Sequence, residues 1–77
     1  MIVKWQLRRF LEHHHTTVYA VWKASGISKT TLYAITNDKM DGVQFVTLAK
    51  LLAGLEHILK RVVHIEDVLE VIRDGTT

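Results

Sequence analysis

Between Thr16 and Asn37 the chain reads Thr-Thr-Val-Tyr-Ala-Val-Trp-Lys-Ala-Ser-Gly-Ile-Ser-Lys-Thr-Thr-Leu-Tyr-Ala-Ile-Thr-Asn, two short helical stretches with a glycine between them. Gly26 ends the first stretch, because glycine enters the left-handed conformation of a helix C-terminus without a Cβ penalty. Ser28 caps the second stretch. A helix over about residues 28–36 buries Leu32 and Ile35 and turns Lys29, Thr30 and Tyr33 outward. A short, polar, weakly basic helix held rigidly by the helix before it is a device for entering a DNA major groove.

The rest of the chain is read around that pair. Val3, Leu7, Phe10 and Leu11 form a helical stripe with Trp5 on its flank, which predicts a first helix over about residues 3–13. His13, His14 and His15 follow, where the helix end would fray. Thr16 or Thr17 caps a second helix of roughly 17–25, whose inward side draws on Val18, Val21, Trp22 and Ala24. A polar loop from Asn37 to Gly42 is rich in turn formers. From Phe45 to Leu59 apolar residues recur at helical spacing, the strongest periodic signal in the chain. Gly54 lies inside that helix at a cost of about 1 kcal/mol relative to alanine, and marks a close contact or an early end. Val62-Val63-His64-Ile65 is β-branched and reads as a short strand. Glu66-Asp67 then starts a last helix through about Ile72, acidic where the helix dipole prefers it, and Asp74 to Thr77 reads as a frayed end.

A chain of 77 residues permits one domain, and an apolar fraction of 48% excludes disorder over most of its length. There is no cysteine, hence no disulfide, thiolate zinc site or thiol redox chemistry. No apolar run approaches the roughly 20 residues that span a bilayer, and the N-terminus lacks the pattern of a signal peptide. A cytoplasmic protein with no membrane partner is expected. Charge is segregated: residues 1–40 carry six Lys/Arg against two acids, and residues 41–77 carry four against six. A basic half and an acidic half suit a module that meets a polyanion with one side.

The register of these residues resembles the Cro and phage-repressor class of helix-turn-helix proteins, also called the xenobiotic-response-element family. The resemblance lies in Trp5-Gln6-Leu7-Arg8, in Ala24 through Tyr33, in Asn37, in Thr47 through Leu52, and again in Asp67 through Glu70. The five helices read along the chain make a compact all-α bundle over residues 1–77, with residues 56–77 closing the core or forming a dimer interface, and the resemblance implies that the bundle is lambda-repressor-like. It also implies roles. Lys29, Thr30 and Ala34 fall where members approach base edges, with Thr31 and Tyr33 beside them. Ser28 falls at the helix cap, where a base or a phosphate is met. Arg8 and Thr17 fall where phosphate approaches the first two helices, and Asn37 and Lys39 where the following loop meets the backbone. Three positions depart from the pattern. Trp22 stands where alanine is usual, so it must point elsewhere or force the helices to repack. Val18 replaces a glutamine that clamps phosphate, and Ala34 offers a thymine methyl contact but no hydrogen bond.

Other chemistry finds little footing. Three consecutive histidines point about 100° apart on a helix and do not converge on one ion, so no metal site is expected. His57 and His64 read as surface or interface residues. Neither Asp38 with Asp41 nor Glu66 with Asp67 has a positioned nucleophile or a glycine-rich phosphate cradle beside it, and no enzyme and no cofactor is expected. The C-terminal third holds more apolar surface than a four-helix core needs, from Val62 to Ile72. One reading is a fifth helix closing the monomer; the other is a homodimer, with Val62–Ile65 pairing strand to strand across a two-fold. The expectation is a sequence-specific transcriptional regulator, a repressor that binds a palindromic operator in double-stranded DNA as a homodimer. The alternatives are an antitoxin that holds a toxin partner, and a protein-interaction module that has lost DNA binding.

Overall fold

The computed structural model describes residues 1–73, and the frayed end expected at 74–77 lies outside them. The chain runs through β1 (Ile2–Trp5), α1 (Leu7–His13), α2 (Val18–Ser25), α3 (Lys29–Thr36), α4 (Phe45–Leu59), a 3-10 turn (Ile65–Asp67) and β2 (Leu69–Ile72). The helix-turn-helix forms as its caps dictate. Thr17 Oγ1 accepts the Ala20 N–H, Ser28 Oγ accepts the Thr31 N–H, and Gly26 sits at φ 76° with its N–H on the Trp22 carbonyl. The long helix spans Phe45–Leu59, as its periodicity predicts. Its first residue is not a core residue, however: Phe45 is 88% exposed.

The two ends of the chain differ from the helical expectation. Residues 2–5 are a strand, so the first helix begins only at Leu7. Residues 69–72 are its antiparallel partner rather than part of a last helix, in the register Ile2↔Ile72, Val3↔Val71, Lys4↔Glu70 and Trp5↔Leu69. The β-branched Ile2, Val3, Val71 and Ile72 favour this state, and each strand supplies the ladder partner the other needs. Glu66-Asp67 starts no helix but closes a single 3-10 turn, Ile65–Asp67, in which the Asp67 carboxylate accepts the His64 N–H at 2.9 Å. Val62–Ile65 is not a strand: Val63 is drawn into the core, and its N–H donates to Glu56 Oε2 at 3.0 Å. The described residues therefore form an all-α helix-turn-helix bundle of four α-helices, not five, closed by a short antiparallel sheet between the chain ends.

The core is wholly apolar among the described residues. Leu7, Phe10 and Leu11 of α1 meet Val21 of α2, Ile27 of the turn, Leu32 and Ile35 of α3, and Leu51 and Leu55 of α4, with Val63 and Val68 closing it from the C-terminal segment. Gln6 fastens that segment, its backbone N–H on the Val68 carbonyl at 2.8 Å and its amide on the Glu66 carbonyl at 2.7 Å. Among the described residues, no helix is long and apolar enough to cross a membrane.

Candidate nucleic-acid interface

Leu32 and Ile35 anchor α3 with no exposed surface, which fixes the helix by its inner face. Its outer face follows from the 3.6-residue period: Lys29, Thr30 and Tyr33 are exposed, while Thr31 and Ala34 are half-buried beside them. Ser28 is committed to the cap. Its hydroxyl accepts the Thr31 N–H at 3.2 Å and donates to Thr31 Oγ1 at 3.0 Å, so these two side chains lock each other at the start of the helix. The first turn of α3 carries no acid. That end, with its partly unpaired N–H groups and the Lys29 ammonium, is electropositive.

Arg8 of α1 and Asn37 at the end of α3 meet directly, the guanidinium donating to the Asn37 amide oxygen. The contact brings together two side chains 29 positions apart in the chain. Beside them a cleft of about 390 Å³ opens between α1, α2 and α3, lined by Arg8, Val18, Tyr33 and Asn37 among others. Val18 is half-buried against the core and brings no donor to this cleft. Arg8 and Asn37 do. Thr17 is exposed at the start of α2, its hydroxyl oxygen taken up by the cap. Lys39 is exposed, and its backbone is held by a 2.8 Å hydrogen bond from its N–H to the Ala34 carbonyl.

The loop that carries Asn37 and Lys39 is braced from β1. The Trp5 indole Nε1–H donates to the Met40 carbonyl at 2.8 Å, and the Trp5 backbone N–H donates to Asp38 Oδ1 at 3.2 Å. Asp38 itself adopts φ 57°, a left-handed conformation that aspartate tolerates better than most residues. The sequence contained these partners without revealing their contact, which depends on β1 being a strand.

A second feature joins α2 to the start of α3. The oversized Trp22 stays half-buried and turns toward the start of α3, where the Lys29 ammonium sits 4.4 Å from its ring centroid. Tyr19 lies one turn earlier on the same face of α2, its ring 5.5 Å from that of Trp22 and 5.9 Å from the Lys29 ammonium. The i, i+3 spacing of two aromatics was the available signal. The histidines form no comparable centre. His14 packs on Phe10 at 4.4 Å and meets His13 edge-on at 4.9 Å, and among the described residues no group of three His, Cys, Asp or Glu is placed to hold a metal ion.

Comparison with protein families gives a match over residues 6–57 to the Cro/C1-type HTH DNA-binding domain. The match runs from the start of α1 almost to the end of α4 and leaves out both strands. No curated protein and no solved structure matches the chain. The family is a DNA-binding module, not a catalytic one, and the match takes in more than half of the residues. The chain belongs to the Cro/C1-type helix-turn-helix DNA-binding domains.

Proposed function

We propose that the protein is a sequence-specific transcriptional regulator, a repressor that occupies its operator with α3 in the major groove. The observation that carries this reading is the outer face of α3, with Lys29, Thr30 and Tyr33 exposed on a helix whose inner face is wholly buried. Lys29, Thr30 and Tyr33 line the groove, with Thr31 and Ala34 beside them. Thr30 and Ala34 offer contacts to a thymine methyl. Arg8, Thr17, Asn37 and Lys39 hold the phosphate backbone on either side, and Ser28, whose hydroxyl proton is taken by Thr31, meets it through its backbone N–H. Arg8 with Asn37 stands in for the donor that Val18 lacks, since their hydrogen bond leaves the Asn37 amide N–H groups and the remaining guanidinium donors for phosphate. The test is binding to random and enriched duplex over a range of salt. Affinity that falls steeply with salt and weakens on Arg8→Ala or Lys29→Ala supports the reading. Undetectable binding at low salt, with neither substitution having an effect, refutes it.

The second element of the proposal is a homodimer on a palindromic site. One module of this size offers few base contacts, and two copies of α3 about 34 Å apart would double them. Support comes from the sheet, where Ile2, Val3, Val71 and Ile72 are each 40–61% exposed and, among the described residues, no third strand pairs with either one. An unpaired strand edge is a template for pairing with another chain. Self-association is thus assigned to β1 and β2 rather than to residues 62–65.

A further inference from the structure

We propose that Trp22, assisted by Tyr19, is a positioning residue that holds the Lys29 ammonium on the α2 side of α3, so that Lys29 engages the DNA backbone bordering the groove and not a base edge. The inference rests on the DNA-binding reading above and assigns a role to the residue by which this chain departs most from its family's usual pattern.

Three observations converge. The first is geometric: the ammonium lies 4.4 Å from the Trp22 centroid and 5.9 Å from that of Tyr19, both within the range of attraction between a cation and a ring face. The second is electrostatic. Lys29 is the first residue of α3, where the positive end of the helix dipole repels an ammonium, and the first turn has no acid to offset this. The electron-rich faces on α2 offer the side chain a favourable place, and its flexible stem allows it to lean there. The third is a neighbour: the Lys23 ammonium lies 5.3 Å from the same Trp22 ring. Two ammonium groups gathered around one ring form a local positive centre that complements a phosphate better than the uncharged acceptors of a base edge.

Docking geometry then sets the consequence. In a helix-turn-helix complex the recognition helix lies in the groove and the helix before it crosses the backbone. A lysine leaning from α3 toward α2 therefore meets phosphate. Thr30 and Tyr33, exposed on α3, are left to face the bases.

The experiment is fluorescence anisotropy of an enriched duplex and of its single-base-pair variants, with wild type, K29Q, W22F, W22L and W22L/K29Q, between about 50 and 200 mM salt. K29Q is expected to weaken every duplex alike, by about five- to tenfold near 0.1 M salt, and to lower the salt slope by about one. W22F, which keeps an aromatic face, should bind nearly as wild type does. W22L should reproduce most of the K29Q loss although Lys29 keeps its charge, and adding K29Q to W22L should then cost less than about twofold, since the two residues act as one unit. Additive losses, or relaxed preference at one base pair in K29Q, would overturn the inference while leaving DNA binding intact. If W22L folds poorly, K29Q still tests the phosphate contact and W22F the need for a ring face: a W22F loss as large as that of K29Q would overturn the inference. Wild type that binds no duplex would overturn the DNA reading, and the inference with it.

Discussion

A Cβ built on Gly54 would lie 2.7 Å from the Ser25 Cβ and 3.0 Å from its Cα, so α4 and α2 touch there as closely as a glycine allows. Gly54→Ala should destabilise the fold by about 1–3 kcal/mol in urea unfolding, because overpacking outweighs alanine's better helix propensity of about 1 kcal/mol. Gly26 is required for the other reason. Its Cβ would meet nothing within 4 Å, yet its φ of 76° strains any side chain. Gly26→Ala should cost about 1–2 kcal/mol through the backbone alone, and Gly26→Asn less. His14 supplies a pH dependence. Its half-buried ring is removed from water and faces the Arg61, His13 and His15 charges, which together outweigh the attraction of Asp67 and lower its pKa below the ordinary value. A base whose folded pKa is depressed binds protons more readily when unfolded, so stability rises with pH through that window. Acidification through about pH 6.5 and below should therefore destabilise the protein. His14→Gln should flatten that part of the stability profile, as measured by thermal unfolding at a series of pH values.

The helices and the strands differ in how far their own residues specify them. α2, α3 and α4 were legible because their signals are local: Thr17 and Ser28 cap, Gly26 terminates, and the apolar period places Leu32, Ile35, Leu51 and Leu55 inside. β1 and β2 were not legible, since Trp5 pairs with Leu69 and nothing near either residue announces the other. Val3 and Leu7 happen to stand four apart, which mimics a helical stripe across a strand-helix boundary. The same distinction governs the interface. The exposed face of α3 follows from periodicity, whereas the Trp22–Lys29 contact depends on how two helices cross. The brace on the α3 loop also belongs to this scale. Trp5→Phe removes the indole hydrogen bond to Met40 and should cost about 1–2 kcal/mol of stability. It should also speed amide exchange over residues 38–42; unchanged exchange there would mean that the loop is held by other contacts.

For the molecule as a whole, the fold separates two surfaces: α3 with its Arg8–Asn37 flank, and the sheet joining the chain ends. If the sheet is the self-association surface, sedimentation should show a concentration-dependent monomer–dimer equilibrium that V3K/V71E shifts to monomer. The fold should survive the change, because both valines are exposed and the two new charges, of opposite sign, face each other across the strands. A monomer at every concentration in the wild type would remove the dimer from the account. Contact between DNA and α3 is tested most directly by following the backbone amide resonances as an enriched duplex is added. The largest shifts are expected at Arg8, at Thr17, and from Ser28 to Lys39. Shifts confined to the sheet or to α4, with α3 unchanged, would contradict it.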